Sequence, residues 1–458
     1  MKIHPHDNVE VRENGKKYAL ANIPKGENII KYGFPIGHAA KDIGAGDKVD
    51  ENNVRSNISG TGEWSYEKRQ TTPVGIKSGS FLGYPRKNGE VGIRNELWIV
   101  PTVGCINDVA EALAKKHGAK ALTHPYGCSQ LGGDLDTTRA FLCGLIKHPN
   151  AGGVLVLGLG CENNVMDRLK EQLGEYDEER VAFIVLQEVG DEMAECANAI
   201  AKLKAVMAGD KRVPTPISKL RIGVKCGGSD GYSGITANPL VGRTSELFGE
   251  YGASVLMTEL PEAFGAEQLL LSGCKSEEIF NEASQMIRRF RRYYIDHGEG
   301  IADNPSPGNI AGGISTLEEK SLGCVQKAGR LPLCGVLEFG ESSKNGGGLY
   351  LVNGPGNDMV AVTALAASHA HIILFTTGRG TPLASVVPTV KISTNTALAE
   401  KKPHWIDFDA GVMLSGVSRE ELADKLYEKC VKTAEGEATK SESLGYYGIA
   451  IFKDGVTL

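Results

Sequence analysis

The sequence contains no run of roughly 18 consecutive apolar residues, so it offers no helix able to span a membrane. Its first residues, Met1-Lys2-Ile3-His4-Pro5, lack the apolar stretch of a secretory signal. A cytoplasmic location with no membrane partner is therefore expected. An excess of either charge is missing too: 50 Lys plus Arg stand against 56 Asp plus Glu, a net charge of −6 spread along the chain. That excludes the basic footprint of a nucleic-acid binder. There is no Walker A loop and no His-Glu-x-x-His, so NTPase and zincin chemistry have no support, and Gly158-Leu159-Gly160 lacks the third glycine of a dinucleotide fingerprint. No fixed-period repeat occurs, which argues against a solenoid. The 10 cysteines have no dense disulfide spacing and read as reduced thiols.

What the sequence has in excess is glycine, 58 of 458 residues, a sign of positive-φ turns and of backbone approaching a ligand closely. Residues 1–58 hold short apolar runs (Val9-Glu10-Val11, Lys17 to Ala21, Asn28 to Tyr32) separated by Gly33, Gly37, Gly44 and Gly46, and predict a small all-β domain. Residues 59–80 are polar, Gly-rich and aperiodic with Pro73, and read as a linker that buries little. From there apolar runs alternate with amphipathic segments. Glu96 to Val100, Gly153 to Leu157 and Val181 to Leu186 are nearly continuous apolar strands between helical stretches such as Asp108 to His117 and Thr137 to Lys147. Such strands are covered on both faces, which predicts a doubly wound, mostly parallel α/β domain over 81–212. The break Val213-Pro214-Thr215-Pro216 precedes a second α/β domain over 213–458, with strands Leu220 to Val224, Ala253 to Met257 and His371 to Phe375.

Ligands on open α/β sheets bind at the carboxyl ends of strands. Three such ends finish in Gly and Cys: His124-Pro125-Tyr126-Gly127-Cys128, Gly158-Leu159-Gly160-Cys161-Glu162 and Lys225-Cys226-Gly227-Gly228-Ser229-Asp230. Thiolates suit soft and borderline metals, so Cys128, Cys161 and Cys226 are candidate ligands of one shared site, with Cys105 a weaker fourth. A free Cys is more often a small buried hydrophobe, the reading adopted for Cys143, Cys196, Cys274 and Cys430 in helical patterns. Thr376 to Pro382 places Arg379 between two glycines, where a guanidinium can grip a carboxylate in two-point fashion, unless it is a solvated turn residue. Asn304 to Asn309 and Glu318-Glu319-Lys320-Ser321 offer further polar groups, though the latter also reads as an exposed helix start. His124, four residues before Cys128, is the foremost general acid or base by position, with a structural histidine as the plain alternative.

These strings resemble the altronate and galactarate dehydratases, a family of sugar-acid hydro-lyases. The resemblance covers nearly the whole chain and includes Val91 to Trp98, the three cysteine loops, Gly234 to Pro239, Gly312 to Leu317, Phe375 to Pro382 and Trp405 to Gly411. Cys128-Ser129-Gln130-Leu131-Gly132, Cys161-Glu162-Asn163-Asn164, Phe264 to Leu270 and Ile451 to Leu458 resemble the altronate branch most. The resemblance implies an N-terminal β domain of the SAF (β-clip) type and an Fe2+-dependent elimination of water from an aldonate, with Mn2+ as an alternative ion. It leaves open an iron–sulfur cluster held by three cysteines. With the polar loops it implies Cys128, Cys161 and Cys226 near the metal, and His124, Lys320 and Asp230 in proton transfer. Ser229, Asn238, Arg379, Thr381 and Lys391 would then contact the substrate. The chain departs from the altronate branch in its β domain: Gly15-Lys16-Lys17 stands where that branch has Gly-His-Lys, and Asp50-Glu51-Asn52-Asn53 where it has a histidine pair. A dehydratase of another sugar acid such as galactarate, a lyase expelling sulfite from a sulfonated hydroxy acid, and a sugar-acid-binding protein are the alternatives. A symmetric homodimer is the commonest assembly to expect.

Overall fold

The computed structural model describes residues 1–58, 60, 62–301, 305–343, 346–456 and 458. Ser59 and Thr61 of the expected linker, Asn304 of the polar loop and Thr457 of the C-terminal string lie outside the described residues.

The N-terminal region folds as two three-stranded antiparallel sheets, one from Val9–Val11, Lys17–Ala19 and Lys48–Val49, the other from Asn28–Lys31, Phe34–Ala39 and Val54–Arg55. Alternate side chains (Val9, Ala19, Ile29, Ile36, Val49, Val54) turn inward to a shared core. The hairpin between Lys31 and Phe34 needs positive φ at both central residues, Tyr32 at 62° and Gly33 at 80°. Asp7 Oδ1 accepts the Gly33 amide at 2.8 Å and fixes that turn.

A four-stranded parallel sheet follows, in spatial order Lys120–Ala121, Glu96–Pro101, Ala151–Gly158, Val181–Val185. Every residue of Ala151–Gly158 is buried, as helices on both faces require. The third region is built on a seven-stranded parallel sheet ordered Leu333–Leu337, Gly348–Val352, Ser254–Met257, Arg221–Cys226, Ile372–Thr377, Thr389–Ser393, Phe408–Asp409. The chain is thus an α/β protein with a small all-β N-terminal region; the apolar runs predicted three of the seven strands of the larger sheet and missed Leu333–Leu337, Gly348–Val352, Thr389–Ser393 and Phe408–Asp409.

Three expectations are corrected. Val213–Pro216 is a strand rather than a break: it pairs antiparallel with Ser80–Pro85 at the edge of a small sheet, the position at which prolines are tolerated. The segment read as a linker is packed, because Trp64, Tyr66 and Val74 lie against the core and the amides of Arg69, Thr72 and Gly75 donate to Ser272, Arg330 and Gly249. Isolated anchors of this kind leave no periodic trace in the sequence. Cys274 is buried as expected, but it sits in the turn after the helix Glu267–Leu271 and bridges to Leu333.

The two parallel sheets share one core. Trp98 and Phe141 from the first pack with Val362 and Phe375 from the second, each fully buried and contributing about 1.5–3 kcal/mol. The helices Gly132–Ile146 and Asp358–Ala367 meet where Gly144 lies so close to the Ala367 carbonyl that a Cβ would stand 2.3 Å from it. Each helix leaves the carboxyl edge of its sheet, and the chain's last residues tie the two together. Thr363 Oγ1 accepts the Ala450 amide at 2.9 Å, and Asp134 takes the amides of Asp454 and Gly455 at 2.7 and 2.8 Å.

A thiol, carboxylate and lysine cluster as the candidate active site

At the carboxyl end of the central strand Arg221–Cys226 the chain brings together groups that are far apart in sequence. Cys226 Sγ lies 3.6 Å from Cys324 Sγ and 4.0 Å from Glu259 Oε1, and Glu259 Oε2 accepts the Cys226 amide at 3.0 Å. Lys327 Nζ stands 2.7 Å from Cys324 Sγ and 3.4 Å from Glu259 Oε2. Lys225 Nζ is ion-paired with Glu259 and, at 2.8 Å, with Asp358 Oδ1. Lys320 Nζ is paired with Glu262 Oε2 at 2.7 Å. Glu259 holds φ at 69°, a left-handed conformation that costs a non-glycine residue about 1–3 kcal/mol and aims its carboxylate back under the strand end.

The local folding is simple. Lys225 and Cys226 end a buried strand, Glu259 and Glu262 follow the neighbouring strand Ser254–Met257, and the helix Leu317–Cys324 supplies Lys320 and Cys324. Thr316 caps that helix by accepting the Glu319 amide.

Electrostatics follow from this arrangement. The hydrogen bond with Cys324, helped by Lys327, lowers the Cys226 thiol to about 7 against the opposing effect of burial. Its partner Cys324 is raised for the complementary reason, so the pair shares one proton near neutral pH. Burial opposes charge on Glu259, but Lys225 and Lys327 outweigh it and hold the carboxyl below its ordinary value. Lys320 is desolvated, yet Glu262 keeps it protonated.

Cys226, Glu259 and Cys324 put three ligand atoms within 4.8 Å of one another, a set that by donor type could hold a metal ion. Its surroundings argue otherwise. Each Glu259 oxygen and the Cys324 sulfur already faces an ammonium, and like unit charges 4 Å apart repel by about 4 kcal/mol at an effective dielectric of 20. With both lysines protonated, these residues do not fit a resident cation.

Of the expected shared site, only Cys226 belongs to the group just described, whose ligand atoms come from Cys226, Glu259 and Cys324. Cys226 is buried on the seven-stranded sheet, whereas Cys128 and Cys161 are exposed on loops of the four-stranded sheet. His124 is engaged by backbone on both ring nitrogens: its Nε2 lies 2.9 Å from the Pro101 carbonyl, its Nδ1 accepts the Tyr126 amide at 3.2 Å, and burial lowers it to about 4. Asp230 accepts from Thr394, Asn395, Ser233 and the Tyr232 amide, so its oxygens are engaged, and burial raises its pKa. Asn238 clamps the Gly323 carbonyl at 3.0 Å and the Thr376 hydroxyl at 2.6 Å. Ser229 is buried, with its carbonyl accepting from Asn309 Nδ2 at 3.0 Å.

Arg379 is exposed on the loop after Ile372–Thr377, and Thr381 Oγ1 there accepts the Leu383 amide. Lys391 is buried mid-strand beside Phe375, where desolvation, partly offset by Asp407, lowers it to about 8. The sequence reading missed Lys225, Glu259, Glu262, Cys324, Lys327 and Asp358. The one available signal was Lys225, a charge set between Val224 and Cys226 at the buried end of the central strand.

The β region docks on the same helix. Glu319 is paired with Lys17 and Lys31, each at 2.7 Å, all three buried, and Glu318 accepts from Ser56 Oγ at 2.9 Å. Lys16, at the point of departure from the altronate branch, donates to the Ala311 carbonyl, while Asp50 to Asn53 close a local turn on themselves. A cavity of about 670 Å³ lined by Glu90, His148, Arg180 and His369 opens at the amino edge of the sheets, the wrong edge for a parallel α/β site.

Three family models match in succession: the altronate/galactarate dehydratase SAF domain over residues 2–57, the D-galactarate dehydratase/altronate hydrolase second domain over 83–209, and the D-galactarate/altronate dehydratase C-terminal domain over 217–457. The chain is 47% identical to an altronate dehydratase of Bacillus subtilis (strain 168), covering 98% of this chain and 94% of the relative. It is also 47% identical to an altronate dehydratase of Escherichia coli (strain K12), covering 97% and 92%. Against the (2R)-sulfolactate sulfo-lyase subunit beta of Chromohalobacter salexigens the identity is 33%, over 81% of this chain and 96% of the relative. No helix among the described residues is long and apolar enough to cross a membrane. With all three domain models in order and near-full-length similarity to two such enzymes, the chain belongs to the altronate/galactarate dehydratase family.

Proposed function

We propose that this protein is an altronate dehydratase, a cytoplasmic hydro-lyase that converts D-altronate to 2-keto-3-deoxy-D-gluconate in hexuronate catabolism. The observation that carries the substrate is the 47% identity to two altronate dehydratases over nearly the whole length of each. The cluster around Cys226 supports the chemistry.

The proton on C2 of an aldonate, beside the carboxylate, is weakly acidic, so its removal needs a base and cations to stabilise the enediolate. Cys226, lowered to about 7, is the proton acceptor, and Cys324 with Lys327 holds it in that state. The ammoniums of Lys225 and Lys320 stabilise the negative charge that builds on the carboxylate oxygens. The C2–H electrons form the C2=C3 bond as hydroxide leaves C3 with a proton from Lys320, and the enol product takes a proton at C3 to become the 2-keto acid. Arg379 and Thr381 hold the substrate carboxylate at the mouth, while Asp230 and Asn238 position the loops. The metal of this reading is iron, with manganese as a substitute; the residues around Cys226 do not fit it, and no step above runs through it.

Anaerobic incubation with ferrous iron and D-altronate, following the 2-keto-3-deoxy acid, tests this reading. Altronate turnover lost in Cys226→Ser supports it. Turnover confined to galactarate, or release of sulfite from sulfolactate, would replace the substrate. Binding of altronate without any turnover would favour a binding protein.

A further inference from the structure

A buried cysteine is ordinarily inert, because burial disfavours the thiolate. Cys143, Cys274 and Cys430 follow that rule, their thiols pushed up to about 12 by burial. Cys226 departs from it: the hydrogen bond with Cys324 lowers its thiol to about 7. Cys226 is 4% exposed, and Cys324 beside it is fully buried.

The two sulfurs are held face to face. Cys226 ends the strand Arg221–Cys226, where Glu259 Oε2 accepts its amide at 3.0 Å and the Thr376 carbonyl accepts the Gly227 amide at 3.0 Å. Cys324 ends the helix Leu317–Cys324, where Asn238 Nδ2 holds the Gly323 carbonyl at 3.0 Å. With both backbones anchored in this way, the sulfurs stand 3.6 Å apart. Bonded sulfurs lie about 2.05 Å apart, so roughly 1.5 Å of approach, divided between two side chains, would join them.

The charges around the pair suit both steps of such a joining. Glu259 Oε1 lies 4.0 Å from Cys226 Sγ and opposes a second negative charge, so one thiolate faces one thiol. Lys327 Nζ, 2.7 Å from Cys324 Sγ, favours the thiolate of Cys324 once Cys226 has lost its charge.

We propose that Cys226 is a site of oxidation by hydroperoxides, with Cys324 as the resolving thiol that converts it to a Cys226–Cys324 disulfide. The Cys226 thiolate attacks the terminal peroxide oxygen and the O–O bond breaks, leaving a sulfenic acid and a hydroxide or alkoxide that takes a proton from water. Cys324 then attacks the Cys226 sulfur; the S–O bond breaks, and the hydroxide leaves as water with the Cys324 proton. Two electrons pass from the sulfur pair to the peroxide. Altronate must reach Cys226 in the dehydratase reading, and hydrogen peroxide, being smaller, can use the same approach. The disulfide removes the proton acceptor, and exchange with a dithiol restores it. Only this effect on turnover rests on the dehydratase reading; the modification itself does not.

The test treats the reduced full-length protein with hydrogen peroxide, quenches with catalase, blocks remaining thiols by alkylation and maps the peptides without reduction by mass spectrometry. A peptide linking Cys226 to Cys324 is expected, with the pair lost to alkylation. Altronate turnover should fall in step with that peptide and return with dithiothreitol. In Cys324→Ala the sulfenic acid has no resolving partner, so Cys226 should pass to the sulfinic acid and dithiothreitol should recover little turnover. Thiol loss with no Cys226–Cys324 peptide, or Cys226 recovered as a free thiol after the peroxide is consumed, would overturn the proposal. A linked peptide that forms while altronate turnover stays intact would uphold the modification and remove Cys226 as the proton acceptor, so the two readings fail separately.

Discussion

Cys226 and Cys324 face each other 3.6 Å apart, one at the end of a central strand and the other at the end of a helix, with the ammonium of Lys327 2.7 Å from the second sulfur. Two sulfurs sharing one proton beside a fixed cation form a base that ionises near neutral pH without an exposed thiol.

The rate should follow that ionisation. With the Cys226 thiolate as the proposed acceptor, kcat/KM rises with pH through about 7. Replacing Cys324 by Ala removes the largest cause of the lowered value, so the midpoint moves upward by about one unit and turnover at pH 7 falls roughly fivefold. A pH–rate profile of the two proteins checks it, and superimposable profiles would count against the thiol pair.

Glu319 neutralises two buried lysines from the β region, and those two cations hold its carboxyl at about 2 despite burial. The folded value lies below the ordinary 4.5, so this stabilisation is present above pH 4.5 and is lost as pH falls toward about 2. Glu319→Gln leaves Lys17 and Lys31 without a countercharge and should cost about 3–5 kcal/mol. Thermal unfolding reports the loss, and limited proteolysis should show the β region released first.

His124 gives a test of a different sign. Burial lowers it to about 4, so the unfolded chain binds its proton more tightly. Stability is complete above about 6.5 and declines as pH falls toward 4, by about 3 kcal/mol for this one group. His124→Gln should flatten that part of the stability–pH curve while kcat on altronate stays within about twofold, the outcome a proton-transfer role would forbid.

Arg379 is exposed on a strand-end loop and free to make two parallel hydrogen bonds to a carboxylate. Arg379→Lys keeps the charge but loses the fork, so KM for altronate should rise about tenfold with kcat little changed. Steady-state kinetics decide it, and a fall in kcat alone would place the guanidinium on the reacting atoms.

The sequence by itself determined the elements and the family. The apolar run Ala151–Gly158 and the strand Ile372–Thr377 are legible because a strand covered on both faces admits few polar residues. The β region is legible because one-sided burial imposes a period of two. It also marked the loops that carry Cys128, Cys161, Cys226 and Arg379, since strand ends are where glycines and polar groups interrupt apolar runs.

Only the tertiary structure decided which of those residues meet. Cys226 and Cys324 are 98 positions apart, and Glu319 joins Lys17 from 302 positions away. Local periodicity cannot encode such pairings; they arise from the order of strands in the sheet and from the β region docking on one helix. The same order puts Cys226 on a different sheet from Cys128 and Cys161, because neighbours in a parallel sheet are set by crossover connections rather than by distance along the chain.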